Sequence, residues 1–273
     1  MSRGVLLEAL ARNRQPKVIT FDAYNCLFST RLPVAEQYSA VGRRHGVDVA
    51  PSVLAARFPA GMLFRETSAR HPDYGKYTGL SVQGWWTLVI QRLFKPAEVG
   101  EKMVAEILQR FQGHGAYKVF PDALWLLEEL RVRRPEVVVG VLSNSDPTMR
   151  QVLLNLGLGS YFTDAIYLSY DLGAKKPERR AFDAALERIL ERNPQLLGDL
   201  GAEELRAACW HVGDEKSADL CGATGAGWNG ILVDRQDIYG QLGQGSAVAL
   251  GLNQFVVPDF YTVGKLFGLA YNI

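Results

Sequence analysis

The chain has 273 residues, 30 Lys and Arg against 29 Asp and Glu, a formal charge of +1, and a hydrophobic share of 48%. That length and apolar content suffice for one or two domains with a full core, and the balanced charge argues against a polyanion such as nucleic acid as partner. No apolar run approaches the roughly 20 residues that a bilayer-crossing helix needs, so no membrane association is expected.

Residues 1–15 set Arg3, Arg12 and Arg14 around Val5, Leu6, Leu7 and Leu10. This pattern predicts an N-terminal helix; Glu8 argues against an amphipathic mitochondrial presequence. Three cysteines, Cys26, Cys209 and Cys221, are few and lack metal-site spacing, which points to a reducing compartment. An intracellular protein of the cytoplasm or nucleus is expected, with the mitochondrion as the alternative.

Lys17–Phe21 is a short β-branched run that predicts a buried strand ending on Asp22. The next such run, Val137–Leu142, lies more than a hundred residues on, far beyond an ordinary crossover. Between them helical spacing covers Pro33–His45, Pro51–Ser68, Ser81–Phe94 and Ala97–Gln112, broken by the Gly/Pro/Tyr-rich segment His71–Gly79. No strand pattern interrupts it, so an inserted helical domain is expected over residues 30–116. Trp85-Trp86 reads as packing inside that domain. Beyond it, helices are predicted over Asp122–Val132, Pro147–Leu156, Glu178–Glu191 and Lys216–Thr224. They alternate with strands at Val137–Leu142, Ala165–Leu168, Ala208–Val212 and Gly230–Val233. The tail Phe255–Leu269 reads as a strand, a Pro258-Asp259 turn and a final helix. Repeated βα units predict an α/β fold, a doubly wound parallel sheet built from residues 1–29 and 117–273.

Polar residues stand just past these strands: Asp22, Ser143-Asn144, Lys176-Pro177 and Gly213-Asp214 with Asp219. In a doubly wound sheet the carboxyl ends of the strands meet at one crevice, so distant positions converge there. A carboxylate that attacks phosphorus needs a hydroxyl and an ammonium to hold the phosphoryl oxygens, which Ser143 and Lys176 supply. It also needs a divalent cation to offset repulsion between two anions, and Asp22 with Asp214 forms an oxygen pair suited to Mg²⁺. The four histidines, His45, His71, His114 and His211, show no metal spacing and read as structural.

The order Asp22, Ser143, Lys176, Gly213-Asp214-(x₄)-Asp219 resembles the haloacid dehalogenase superfamily of hydrolases over nearly the whole chain. Leu142-Ser143-Asn144, Lys176-Pro177 and the stretch from Gly213-Asp214 through Gly222-Ala223-Thr224-Gly225-Ala226-Gly227 carry the likeness. Arg31–Gly46, and Trp85-Trp86 after Gly79-Leu80, further resemble the subgroup called haloacid dehalogenase-like hydrolase domain-containing protein 3. The resemblance implies a Rossmann-like core with the helical insertion as a cap. It also implies Asp22 as nucleophile, and Ser143, Asn144 and Lys176 around the phosphate. Mg²⁺ would lie on Asp22, Asp214 and the backbone carbonyl of Tyr24, with Asp219 behind them, and the substrate would be a small phosphorylated molecule.

The first motif departs from the phosphatase pattern. Phosphatases of this family read Asp-x-Asp-Gly-Thr, whereas this chain reads Asp22-Ala23-Tyr24-Asn25-Cys26. The missing second aspartate is the group that protonates the leaving alkoxide and helps deprotonate water; such a group contributes roughly 10²–10⁴ in rate. A phenol of pKa about 10 stays protonated at neutral pH and does not replace it as a base. Asp-Ala-Tyr is instead what 2-haloacid dehalogenases carry, yet those lack a metal-type Gly213-Asp214. Three readings therefore stand open: a Mg²⁺-dependent phosphatase with weakened or lost catalysis, a non-catalytic binding or assembly protein, and a 2-haloacid dehalogenase.

Overall fold

The computed structural model describes residues 15–58, 74, 76, 79–162, 164–198, 200–242 and 247–269. The expected N-terminal helix, the second half of Pro51–Ser68 and His71 lie outside them. The chain forms two compact units. One holds the described residues up to Ser29, Val119–Asn144 and those from Leu158 onward; the other holds the described residues of Thr30–Lys118 together with Ser145–Gly157.

The first unit is built on a seven-stranded sheet in the order β5-β4-β1-β6-β7-β9-β8. Its strands are β1 (Val18–Phe21), β4 (Val138–Ser143), β5 (Ile166–Leu168), β6 (Cys209–Gly213), β7 (Asn229–Val233), β8 (Val248–Gly251) and β9 (Gln254–Val257). Every pairing is parallel except β8 with β9. Every residue of β1, β6 and β7 is buried, as expected where helices cover both faces of a parallel sheet. The edge strand β8 was not anticipated, because its four residues carry too short an alternation to register. Two further short strands, β2 (Phe28–Thr30) and β3 (Tyr117–Val119), pair as a separate ribbon where no strand was expected. At three residues each they fall below any readable period.

From β1 the chain continues through β4 and β5 on one side and through β6 and β7 on the other, so the strand order reverses at β1. The carboxyl ends of β1, β4 and β6 flank that reversal, the place where open α/β sheets bind ligands. The helix Arg179–Arg192 covers one face by burying Ala181, Phe182, Ala185, Leu186 and Ile189, a helical stripe. Phe182 meets Trp228 and His211 edge-on at 5.5 and 5.6 Å. Alternation along β6 sends Trp210 to the opposite face, where it stacks on Phe255 at 5.6 Å and meets Phe267 at 5.2 Å. The helices Pro121–Arg133 and Phe260–Leu266 pack closely enough that a Cβ on Gly264 would lie 2.5 Å from the Trp125 ring. The first of these opens with Asp122, whose buried carboxylate accepts from Arg235 at 2.7 and 3.1 Å and from the Phe260 N–H at 2.9 Å.

The second unit contains the helices Val34–Arg44, Pro51–Arg57, Val82–Phe94 and Glu101–Arg110 around Tyr38, Trp85, Ile90, Leu93, Phe94 and Ile107. Residues 145–157, expected within the core segment 117–273, group with this unit instead. Side chains explain the difference: Trp86 Nε1 donates to Asp146 Oδ2 at 2.9 Å, and Asn155 Nδ2 donates to the Gln112 carbonyl at 2.7 Å. The helix expected over Lys216–Thr224 is a wide π-type coil, Lys216–Cys221, followed by the α-turn Gly222–Gly225. Leu220 N–H reaches back five residues to the Glu215 carbonyl, which widens the turn. Among the described residues no helix is long and apolar enough to cross a membrane.

Candidate active site

All the charged groups of the site lie in the first unit. Asp22 follows β1, with its N–H donating to the Val212 carbonyl at 2.8 Å, so the backbone of β6 holds the residue just past the strand end. Lys176 is buried, and its ammonium donates to Asp22 Oδ1, Asp219 Oδ1 and the Leu142 carbonyl, each at 2.7 Å. Two residues from distant parts of the chain thus place one cation between two carboxylates. Asn144 fixes the Lys176 backbone from the end of β4: its Oδ1 accepts the Lys176 N–H at 2.8 Å and its Nδ2 donates to the Lys176 carbonyl at 2.9 Å. Ser143, the last residue of β4, is buried beside the Leu142 carbonyl that Lys176 uses.

Asp219 is buried in the π-type coil after β6 and accepts three hydrogen bonds. It accepts from Lys176, from His211 Nε2 at 3.0 Å, and, through Oδ2, from the Glu215 N–H at 2.9 Å. Gly213 makes the approach possible, because a Cβ there would stand 2.1 Å from Asp219 Cγ. Tyr24 lies apart in character: its side chain is 38% exposed and its ring meets Phe28 edge-on at 6.2 Å.

The electrostatics follow from this arrangement. Burial drives the Asp219 carboxyl up, but the Lys176 ammonium and the His211 hydrogen bond outweigh it and hold the group well below the usual carboxylate range. Burial pulls the Lys176 ammonium down, while Asp219 and Asp22 reverse the shift and raise it. For Asp22 burial prevails over the pull of Lys176, and its pKa is raised. Burial, aided by the Asp22, Asp219 and Glu215 carboxylates, pushes Asp214 up to about 7. One ammonium serves Asp22 and Asp219 while a third carboxyl, Asp214, stands beside them, so carboxyl groups outnumber the cation.

That imbalance is what a hard cation relieves. Oxygen atoms of Asp22, Asp214 and Asp219 all lie within 4.8 Å of one another. The donor set is purely carboxylate, as Mg²⁺ prefers. Asp219 already accepts three hydrogen bonds, which leaves Asp22 and Asp214 as the carboxylates better fitted to hold the ion.

His211, expected to be merely structural, is part of this network. It contacts Asp219 and lies 3.3 Å from Lys176 through Nε2, while Nδ1 stands 2.8 Å from Thr20 Oγ1. The sequence carries a signal for Thr20 and His211: each is a polar residue inside a buried strand, Thr20 two positions before Asp22 and His211 three before Asp214. Cys26, a buried thiol whose pKa burial raises, donates to the Val212 carbonyl at 3.4 Å.

The model of the haloacid dehalogenase-like hydrolases matches residues 16–227. The chain belongs to this family of hydrolases. An uncharacterised protein of Saccharomyces cerevisiae is 45% identical over 231 residues, 85% of this chain and 76% of the relative. The human haloacid dehalogenase-like hydrolase domain-containing protein 3 is 30% identical over 229 residues, 82% of this chain and 84% of its own length. Two solved structures share the fold of the hydrolase. A magnesium-bound HAD-hydrolase of Bacillus subtilis has a TM-score of 0.60 at 16% identity, and covers 93% of this chain and 100% of its own. The L-2-haloacid dehalogenase of Xanthobacter autotrophicus with covalently bound chloropropionic acid also reaches 0.60, at 19% identity over 93% and 100%. At those identities the likeness speaks for the fold alone. The chemistry of this hydrolase has to be argued from its own side chains.

Proposed function

We propose that the protein is a Mg²⁺-dependent hydrolase of small phosphorylated molecules that works through Asp22 and favours substrates whose leaving group departs unprotonated. The observation that supports this reading is Asp22 paired with the Lys176 ammonium at 2.7 Å while its carboxylate lies within 4.8 Å of those of Asp214 and Asp219. Lys176 orients Asp22 and keeps an oxygen of it ionised for attack. The Asp22 oxygen forms a bond to phosphorus as the bond from phosphorus to the leaving oxygen breaks, and the electron pair departs with that oxygen. Water then displaces Asp22 from the phosphorus. Ser143 and Asn144, at the end of β4, are the proposed partners for phosphoryl oxygens. Asp22, Asp214 and the carbonyl of Tyr24 would hold the ion, which supplies charge neutralisation between the two anions when bound.

Tyr24 limits the rate, since it stands where phosphatases of the family carry the aspartate that protonates the leaving alkoxide and helps deprotonate water. Acyl and aryl phosphates, whose leaving groups are stable anions, are the substrates that tolerate this. The balanced net charge supports a small-molecule partner over nucleic acid, and three unpaired cysteines support a reducing cytoplasmic or nuclear setting. The Asp22-Ala23-Tyr24 sequence favours a second reading, a 2-haloacid dehalogenase, in which halide needs no proton; the charged Asp214 beside Asp22 weighs against it.

The deciding experiment measures phosphate release from acetyl phosphate and 4-nitrophenyl phosphate with Mg²⁺, with EDTA, and in Asp22→Asn. Turnover that needs both the metal and Asp22 is expected. Equal rates in Asp22→Asn would remove Asp22 as nucleophile; no phosphate release, with halide freed from 2-chloropropionate, would favour the dehalogenase. A folded protein with neither activity would leave a binding or assembly role.

A further inference from the structure

His211 lies in the middle of β6, wholly buried, with β1 register setting it opposite Thr20. Counting hydrogens assigns the direction of each bond around it. An ammonium has three N–H groups, and those of Lys176 point to Asp22 Oδ1, Asp219 Oδ1 and the Leu142 carbonyl. None remains for His211 Nε2 at 3.3 Å. Asp219 Oδ1, at 3.0 Å, belongs to an ionised carboxylate and only accepts, so Nε2 carries the hydrogen. A second hydrogen on Nδ1 would put a buried cation beside the Lys176 ammonium. Nδ1 is therefore bare and accepts the Thr20 hydroxyl at 2.8 Å; the competing acceptor, the Trp210 carbonyl, lies at 3.4 Å.

We infer that His211 is a positioning residue: a neutral Nε2–H imidazole, oriented by Thr20, whose bond to Asp219 Oδ1 keeps the Lys176 ammonium divided between Asp219 and Asp22. Without that second donor, Asp219 Oδ1 has Lys176 alone, and the ammonium is drawn away from Asp22. Burial and the nearby ammonium both hold the imidazole below its ordinary pKa, in keeping with a ring that stays neutral. The hydrogen-bond assignment stands on the distances around His211 and on the Lys176–Asp219 ion pair; its consequence for phosphoryl binding rests on the reading of Asp22 given above.

Two measurements on the full chain separate these parts. Long-range ¹H–¹⁵N spectra of histidine-labelled protein, assigned by loss of the signal in His211→Gln, are expected to show a protonated Nε2 and a bare Nδ1. Beryllium fluoride binding with Mg²⁺, followed by calorimetry, is expected to weaken at least roughly ten-fold in His211→Phe, the effect of one hydrogen bond to a charged group. His211→Gln, whose side-chain N–H can reach Asp219, recovers most of it, and Thr20→Val falls between. An Nδ1–H ring or an imidazolium overturns the assignment. Equal binding by wild type, His211→Phe and Thr20→Val overturns the positioning role. Should His211→Phe not fold, His211→Gln, Thr20→Val and the wild-type spectrum carry the same tests. A wild type that shows the Nε2–H ring but takes no beryllium fluoride supports the assignment and strikes only the phosphoryl reading.

Discussion

Replacing Lys176 by methionine removes the one cation shared by two carboxylates and keeps most of the side-chain volume. The ammonium is 2% exposed and the Asp219 side chain likewise 2%, whereas Asp22 is 14% exposed. Breaking a buried pair by deleting one partner costs about 3–5 kcal/mol, because the remaining charge is left uncompensated. The cost must depend on pH, and its sign can be worked out. In the wild type, Asp219 has a depressed pKa, so its contribution to stability is present above the unfolded carboxylate value and lost as pH falls through the lower folded value. In Lys176→Met the same carboxyl loses the larger cause of that depression and keeps the His211 hydrogen bond, so its stabilising contribution shrinks. Asp22, raised already, rises further. Asp22 binds its proton more tightly folded than unfolded, so stability falls as pH climbs from about 4 towards 7. The variant is therefore expected to be penalised most at pH 8 and partly rescued at pH 5. At about 2–4 °C per kcal/mol for a chain somewhat under this size, the melting temperature drops by roughly 6–20 °C at pH 8. Thermal melts of both proteins in EDTA between pH 5 and 8 measure this. A deficit that is equal at pH 5 and pH 8, or one below about 1 kcal/mol throughout, would refute the claim that Lys176 neutralises buried carboxylates.

Two other outcomes are expected. Tyr24→Asp restores a carboxyl at an exposed position and should raise Mg²⁺-dependent turnover of an alkyl phosphate by roughly 10²–10⁴, while an aryl phosphate gains less, since its leaving group needs no proton; equal gains would show that Tyr24 is not where proton transfer fails. Because burial and its neighbours push Asp214 up to about 7, protons compete with metal there, so the rise in melting temperature caused by Mg²⁺ should be larger at pH 8 than at pH 6 and absent in Asp214→Asn; a pH-independent shift that survives the substitution would place the ion elsewhere.

What could be read from the chain without its fold was whatever short windows encode. β1, β6 and β7 are runs of apolar and β-branched residues, and a buried strand needs nothing more to declare itself. The stripe Ala181, Phe182, Ala185, Leu186, Ile189 marks a helix in the same local way. Asp22 and Asp214 could be singled out because each stands one residue past such a segment, whereas Lys176 lies eight residues beyond β5, after the helical turn Ser169–Leu172. Other features depend on partners far along the chain. Thr20 and His211, 191 residues apart, are joined only because β1 and β6 pair in one register; a one-residue slip would turn the ring to the other face of the sheet. Residues 145–157 carry an ordinary helical pattern, and their grouping with the inserted unit shows only in the folded chain, where Trp86 bonds Asp146 and Asn155 bonds the Gln112 carbonyl. The state of each carboxyl belongs to tertiary structure as well. Sequence supplies the three aspartates, but the ammonium that Asp22 and Asp219 share, and the water all three lose, come from the way distant strands close around them.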